Sequence, residues 1–262
     1  LYSCDIIIIM KPEDAITVFR KPSSTPSGFF GYGSENIVEL ENFMTQEEVD
    51  FLDKAARGIK IWDITESHKN ENGTVIYDAE YWKDRVASAP SLNQNDPRIV
   101  PVIIGLFNKL QPVIEKFFNV KVQPTGQTIV KWLPGQFQMP HADKELHSGP
   151  DAGTPNDFPN YDIASLFYIN DDYEGGELYF PNQGIQFKPK RGSAYFFPGD
   201  MNYVHGVTKI KNGTRYTCPF FWEILEHTGD IKPDFNTKYH RIFPDDKTIN
   251  AWDPENGIRK DS

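Results

Sequence analysis

Apolar residues in the first part of the chain recur mostly at the three- and four-residue spacing of helices. Residues 37–43 alternate like a strand, and Thr45-x-x-Glu48 forms a capping box, in which side chains satisfy the free amides at a helix start. The apolar face that follows comprises Val49, Leu52, Ala55 and Ala56. Gly58 stands where a helix commonly ends. The pattern therefore predicts a strand followed by a helix.

A second helical stretch begins at Asp96-Pro97, which supplies a cap and a first-turn proline. Its apolar stripe comprises Ile99, Val102, Leu106, Leu110, Val113 and Phe117. Pro112 lies within the stripe and is expected to kink the helix or end it. Residues 73–95, between the two helices, follow no clear period; Tyr77, Tyr81 and Trp82 suggest strands or a packed loop, and no element is assigned there.

Beyond Val120 the pattern changes to short alternating runs separated by Gly, Pro, Asn and Asp, which is typical of a sandwich or barrel of strands. Eight strands are predicted, at residues 127–133, 138–143, 163–169, 177–180, 184–187, 193–197, 203–208 and 215–222. Eight antiparallel strands in two sheets make a jelly roll with a mouth for a ligand at one end. The polar loop 144–161 is either a lid or binding loop or an ordinary surface excursion.

These elements predict a mainly β protein with flanking helices (α+β), in which the helices cover one sheet. We expect a single domain over residues 1–262, with a support region at 1–125, the jelly-roll core at 126–225 and a tail at 226–262. The β-branched run at residues 6–10 is predicted to be a strand, because it is too short for a membrane span.

Composition narrows the function classes. Apolar residues make up 39% of the 262 residues and aromatic residues 14%, which excludes disorder, and no apolar run is long enough to cross a bilayer. A net charge of −10 argues against a nucleic-acid partner. Cys4 and Cys218 suggest neither a disulfide framework nor a thiolate metal site, which favours a soluble, cytoplasmic protein. The sequons at Asn72 and Asn212 are glycan sites only in a secretory setting.

The residues that indicate chemistry begin with His141 and Asp143. Two residues apart on a strand, their side chains share one face and can bind one ion. His205, in the middle of the strand predicted at 203–208, is the candidate third ligand. The other histidines lie in the polar loop or outside the eight strands: His147, His68, His227 and His240. Two imidazoles and one carboxylate leave coordination positions open, as in non-haem iron(II) oxygenases.

Arg215 is the candidate for holding an anionic co-substrate. A dicarboxylic keto acid that chelates a metal at one end needs a cation for its far carboxylate, and a guanidinium suits that role. Arg215 follows His205 by ten residues, and a hairpin through Asn212-Gly213 is expected to bring the two alongside each other. A solvated charge at a strand end is the alternative for this arginine.

The block from residue 127 to 222 resembles the prolyl 4-hydroxylase branch of the iron(II)- and 2-oxoglutarate-dependent oxygenases. The resemblance rests on five pieces in order: His141-x-Asp143, Leu166-Phe167-Tyr168-Ile169-Asn170, Gly175-Gly176-Glu177-Leu178-Tyr179-Phe180, Pro189-Lys190-Arg191-Gly192-Ser193-Ala194, and His205 followed by Arg215.

The resemblance implies a double-stranded β-helix core, with iron(II) held by His141, Asp143 and His205. It implies that Arg215 pairs with the far carboxylate of 2-oxoglutarate and that Tyr168 hydrogen-bonds the same carboxylate, although Tyr168 also suits a purely structural role. O2 is the other co-substrate, and ascorbate is a further candidate cofactor. Leu133 stands where several relatives carry a tyrosine beside the cofactor, which puts the substrate in doubt more than the reaction.

The reaction implied is hydroxylation coupled to decarboxylation of 2-oxoglutarate to succinate and CO2. The resemblance favours a prolyl residue in a peptide or protein, gripped under the loop 144–161. A free amino acid or another small molecule is the alternative substrate. A non-catalytic jelly-roll binding protein is a second alternative, and a zinc hydrolase a third, disfavoured because no helical HExxH is present. Oligomeric state is not evident from the sequence.

Overall fold

The structure, a computed structural model, describes residues 25–26, 28–63, 68–69, 75–77, 79–156, 158–227, 252–253, 255 and 257–258. The strand predicted at residues 6–10 and most of the predicted tail lie outside these ranges. The helices are α1 Gln46–Gly58, α2 Ala79–Trp82, α3 Ala89–Asn95 and α4 Ile99–Phe118, with short 3-10 turns at Ser34–Asn36 and Met201–Tyr203.

The strands of the described residues run through the chain from residue 38 to residue 258. In order they are β1 Val38–Leu40, β2 His68–Lys69, β3 Val75–Tyr77, β4 Val86–Ser88, β5 Val120–Thr125, β6 Thr128–Trp132, β7 Gln138–His141, β8 Ile163–Tyr168, β9 Glu174–Gly175, β10 Leu178–Phe180, β11 Ile185–Phe187, β12 Ala194–Pro198, β13 His205–Val207, β14 Ile210–Asn212, β15 Arg215–His227, β16 Trp252–Asp253 and β17 Gly257–Ile258.

Two antiparallel sheets form the centre of the fold. The larger has the order β1-β12-β8-β15-β6-β4, with β5 pairing the far half of β15, and the smaller has the order β11-β10-β13-β7. A mainly β, antiparallel architecture with few helices was predicted and is confirmed. The long strand β15 organises the larger sheet, since it pairs with β8, β6 and β5.

An aromatic cluster joins the inner faces of the two sheets. Its fully buried members are Ala164, Tyr168, Tyr195 and Phe197 from the larger sheet and Leu178 and Phe180 from the smaller one. Successive strand residues point to opposite faces, so alternate residues of β8 and β15, among them Phe167 and Phe220, lie outside this cluster. Phe107 of α4 stacks on Phe220 of β15, with ring centroids 4.2 Å apart.

The first predicted helix has the ends that its sequence indicates. The amide of Glu48 donates to Thr45 Oγ1 at 3.2 Å, and the amide of Thr45 donates to Glu48 Oε2 at 2.8 Å, so the capping box is complete. Val49, Leu52 and Ala56 are buried on the inner face of α1. The helix ends at Gly58, as predicted.

The second predicted helix differs at three points. It begins at Ile99 with Arg98 as its cap, and Asp96 instead accepts the amide of Arg98 at 2.9 Å. Of the two outcomes expected at Pro112, the helix does not end there but continues to Phe118; the residue four positions earlier, whose carbonyl loses its partner, is exposed. Val113 and Phe117 are 37% and 46% exposed, since the buried face continues from Leu110 in steps of four residues.

The region left unassigned contains two helices and two strands. These are α2, α3, β3 and β4, and β4 pairs with β6 at the edge of the larger sheet. The predicted strands are present, with shorter or shifted ends: β7 stops at His141, β13 starts at His205 rather than two residues earlier, and β15 extends to His227. Among the described residues, no helix combines the length and hydropathy that a membrane crossing needs.

Candidate active site

The pairing of β7 with β13 brings the two histidines together. His141 and His205 are direct partners in this antiparallel ladder, and their ring centroids lie 4.4 Å apart. A bulge between His205 and Val207 shifts the register next to the pair. Irregularities of this kind re-aim side chains near functional sites. The sequence prediction placed His205 in mid-strand, whereas it is the first residue of β13, directly after the turn Met201–Tyr203.

Asp143 lies beyond the end of β7 and not on the strand, so the predicted alternation does not position it. The amides of Asp143 and Lys144 both donate to the carbonyl of Gly199, each at 3.0 Å. Gly199 is required here, because a Cβ at this position lies 2.0 Å from the carbonyl oxygen of Tyr161 and 3.3 Å from the Asp143 Cβ. A backbone contact with the loop after β12 thus aims the carboxylate at the two imidazoles.

Backbone carbonyls orient both imidazole rings. Nδ1 of His141 lies 2.9 Å from the carbonyl of Met139, and Nδ1 of His205 lies 3.1 Å from the carbonyl of Tyr203. A carbonyl only accepts, so each Nδ1 carries the proton and each Nε2 keeps a free lone pair. This is the tautomer in which a histidine binds a metal through Nε2.

The three side chains offer a compact donor set. One ligand atom from each of His141, Asp143 and His205 lies within 4.8 Å of the others. Nε2 of His141 is 3.7 Å from Asp143 Oδ1, and Nε2 of His205 is 3.8 Å from Oδ2. Oδ2 is buried and accepts no hydrogen bond. Two neutral nitrogens and a carboxylate without a donor fit a divalent cation such as iron(II).

Burial sets the protonation of the trio. It lowers the pKa of His141 to about 4 and that of His205 well below its ordinary value, so both rings are neutral near pH 7. It raises the pKa of Asp143 to about 8, because the interior disfavours the charged form, and among the described residues Oδ2 has no hydrogen-bond donor to offset this. A metal ion therefore finds its nitrogen ligands ready but competes with a proton for Asp143.

Arg215 reaches the interior by a route that the sequence prediction had wrong. The expected hairpin between the strands of His205 and Arg215 does not form, because β14 pairs with β9 and turns the chain away from the smaller sheet. Arg215 then starts β15 in the larger sheet, opposite Trp132 of β6. The arginine and the metal-ligand candidates thus lie on different sheets.

The guanidinium of Arg215 is buried without a counter-ion among the described residues. The residue is 1% exposed; Nη2 donates to the Tyr168 hydroxyl at 3.0 Å, and Nε finds no acceptor in the described part of the chain. The rings of Tyr168 and Trp132 flank it, with centroids 5.0 and 5.5 Å from Cζ. A buried guanidinium with an unused donor is costly and well suited to a carboxylate ligand.

Aromatic residues connect the two halves of the site. The rings of Phe197 and Phe180 lie 4.6 and 5.6 Å from the His205 ring, measured between centroids. Both belong to the inter-sheet cluster that also contains Tyr168. Tyr168, the residue expected to point inward, is fully buried there. The trio and the guanidinium therefore adjoin the same apolar interior.

Sequence reasoning missed a buried ion pair behind Asp143. Lys144, taken as the start of a polar loop, is buried, and its Nζ donates to Asp162 Oδ1 at 2.7 Å and to the carbonyl of Thr25 at 2.8 Å. The other oxygen of Asp162 accepts the amide of Ile224 at 2.9 Å. No local pattern reveals this pair, because its members are 18 residues apart in a region without periodicity.

The chain is similar to known oxygenases. Residues 127–223 match the sequence profile described as the 2OG-Fe(II) oxygenase superfamily. The 2-oxoglutarate and iron-dependent oxygenase domain-containing protein 3 of Xenopus tropicalis is 27% identical over 124 residues, which are 41% of this chain and 36% of that protein. Prolyl 4-hydroxylase 1 of Arabidopsis thaliana is 24% identical over 207 residues, 71% of this chain and 68% of that protein.

The chain thus spans about a third of the length of the Xenopus relative. Among solved structures, the viral collagen prolyl hydroxylase of Paramecium bursaria Chlorella virus-1 in its 2OG complex covers 72% of this chain and 96% of its own, at 18% identity and a TM-score of 0.46. Residues 127–223 thus match the 2OG-Fe(II) oxygenase superfamily, and the chain is similar to prolyl 4-hydroxylases.

Proposed function

We propose that the chain is an iron(II)- and 2-oxoglutarate-dependent dioxygenase that hydroxylates a prolyl residue in a peptide or protein. We infer that its two sheets form a double-stranded β-helix whose larger sheet the helices cover. One observation carries the proposal: a compact imidazole–carboxylate trio and a buried guanidinium without a described counter-ion adjoin the same interior. The first fits a metal ion, and the second fits the far carboxylate of a keto acid.

Each group has a separate task in this proposal. His141, Asp143 and His205 hold the ion, and iron(II), when bound, supplies the activation of O2 and the oxidation of substrate. Arg215 neutralises the far carboxylate of 2-oxoglutarate, and the Tyr168 hydroxyl beside it donates to the same carboxylate. The aromatic cluster keeps water from the reacting groups. The products are hydroxylated substrate, succinate and CO2.

The prolyl substrate follows from the similarity to prolyl 4-hydroxylases, and the loop 144–161 after Asp143 is where we expect the peptide to be gripped. The test uses chain loaded with iron(II), 2-oxoglutarate and ascorbate, and peptides in matched pairs with proline or alanine at one position. We expect succinate release and the gain of one oxygen on proline only for the proline member, and neither product with Asp143→Ala. Turnover of free amino acids alone would favour the small-molecule alternative.

The role of Arg215 is tested by Arg215→Gln. A charge-assisted hydrogen bond is worth about 1.5–3 kcal/mol, so the KM for 2-oxoglutarate is expected to rise by about 10- to 150-fold. Arg191→Gln is the matched control, because Arg191 pairs at the surface with Asp50. No succinate from any peptide and no spectral change when 2-oxoglutarate joins iron(II) would instead indicate a non-catalytic binding protein.

A further inference from the structure

Tyr173 is a buried tyrosine to which the proposed reaction gives no role. It lies just before β9, is 3% exposed, and its hydroxyl makes no hydrogen bond of normal geometry with the described residues. An unbonded hydroxyl in the interior reduces stability, so such a group calls for an explanation. A ligand that accepts its hydrogen bond is one explanation that can be tested.

The ring of Tyr173 is held against Arg215. A Cβ placed on Gly176 lies 2.9 Å from Tyr173 Cε2 and 3.1 Å from Arg215 Cδ, so the two side chains meet over the same glycine. A Cβ on Gly213 lies 2.9 Å from the Tyr173 Cα, so the backbone there is also closely packed. Cε2 is bonded to the carbon that carries the hydroxyl, so the hydroxyl end of the ring lies at the same glycine as the Arg215 side chain.

Electrostatics indicates the same proximity. Burial raises the pKa of Tyr173 to about 12, and the charge of Arg215 and a weak hydrogen bond from Arg215 to the phenol oxygen oppose the rise. Arginine only donates, so the proton of the phenol still has no acceptor among the described residues. The phenol is therefore neutral near pH 7 and able to donate a hydrogen bond. The Nε of Arg215 is also a buried donor without an acceptor. Two unused donors at one place are complementary to one carboxylate.

We propose that Tyr173 binds the far carboxylate of 2-oxoglutarate together with Arg215, as a neutral phenol that donates one hydrogen bond. This inference rests on the proposed function, since it assigns a further residue to the same co-substrate site. It also predicts specificity: Tyr173 favours dicarboxylic keto acids and contributes nothing to binding a monocarboxylic one.

The test compares Tyr173→Phe with Tyr179→Phe. Tyr179 is equally buried and its hydroxyl also lacks a partner, but that hydroxyl lies against Gly206 and not against Arg215. Each variant is loaded with Mn(II), so that binding is separated from turnover. Thermal unfolding and calorimetric affinity are measured with no keto acid, with 2-oxoglutarate, and with 2-oxovalerate, which has the same chain length but lacks the far carboxylate.

Without keto acid, both variants are expected to unfold at the parent temperature or above it, because each loses an unbonded buried hydroxyl. With 2-oxoglutarate, only Tyr173→Phe is expected to bind more weakly, by about three- to tenfold, the usual effect of one hydrogen bond. Its affinity for 2-oxovalerate is expected to equal that of the parent.

A purely structural role gives a different pattern. A lower unfolding temperature of ligand-free Tyr173→Phe with parental affinity for 2-oxoglutarate would overturn the inference, as would equal weakening for both keto acids. A parent protein that binds Mn(II) but not 2-oxoglutarate would overturn the proposed function as well. If the parent binds 2-oxoglutarate and Tyr173→Phe binds it equally well, only the role of Tyr173 is overturned.

Discussion

We expect metal binding to release a proton from Asp143 and the number of protons released to depend on pH in a defined way. With a pKa of about 8, the carboxyl is protonated in a ratio of roughly ten to one at pH 7 and of roughly one to ten at pH 9. The ion requires the carboxylate. Binding therefore releases about 0.9 protons at pH 7 and about 0.1 at pH 9. His141, with a pKa of about 4, releases almost none at either pH.

Calorimetric titration of the metal-free chain with Mn(II), in buffers of different ionisation enthalpy, counts these protons directly. The apparent affinity is expected to rise by about tenfold per pH unit below pH 8 and to level off above it. The control is Asp143→Asn, which has no titratable carboxyl at this position. It is expected to bind Mn(II) more weakly and without proton release. A count near zero at pH 7 in the parent would refute the argument, since it would mean that Asp143 is already ionised; a count near two would mean that a histidine is charged.

The same shift predicts the stability of the metal-free protein. The folded pKa of Asp143 lies above the ordinary value of 3.8, so the fold favours the neutral carboxyl. The stabilising contribution of the neutral Asp143 carboxyl to the free energy of unfolding is therefore complete below about pH 4 and is lost as the pH rises through about 8. The metal-loaded protein is expected to lack this loss, because the ion stabilises the carboxylate.

Two substitutions near Asp143 test the packing that holds it. Gly199→Ala places a Cβ 2.0 Å from the Tyr161 carbonyl oxygen, so it is expected to lower the free energy of unfolding by roughly 1–3 kcal/mol or more and to weaken Mn(II) binding. The control is Gly105→Ala, in open space within α4, which is expected to raise the free energy of unfolding by up to about 1 kcal/mol. Denaturant unfolding measures both changes. Lys144→Met leaves the buried carboxylate of Asp162 without its cation and is expected to lower the free energy of unfolding by roughly 3–5 kcal/mol. Adding Asp162→Asn is expected to restore part of that free energy. No recovery in the double variant would contradict an ion-pair role.

The local sequence was sufficient to predict most elements near the site. The capping box of α1 and the alternation of β8 each depend on neighbours within a few residues, so their patterns are informative without the fold. His141, Asp143 and His205 could be proposed as candidates for the same reason, because each was identified from the few residues around it. Which of these side chains meet depends on pairing between β7 and β13, which are more than 60 residues apart, and no local pattern encodes that pairing.

The parts that the sequence could not predict depend on long-range contacts. A glycine-containing turn after β14 is compatible with a hairpin, and only the pairing of β14 with β9 sends Arg215 to the other sheet. Lys144 belongs to a polar stretch, and only its contact with Asp162 makes burial favourable. The alternation of β8 cannot predict that Tyr173 is buried, because the strand ends at Tyr168 and Tyr173 lies beyond it.

Because β14 redirects the chain, the two ends of the proposed co-substrate site belong to different sheets. The metal-ligand candidates are on or beside the smaller sheet, and Arg215 starts the last strand of the larger one. Close-packed side chains between the sheets, among them Phe180, Phe197 and Tyr168, set the distance between these ends. A tightly packed interior changes shape only at an energetic cost. We therefore expect the residues that stabilise the contact between the sheets to select the length of the keto acid as well.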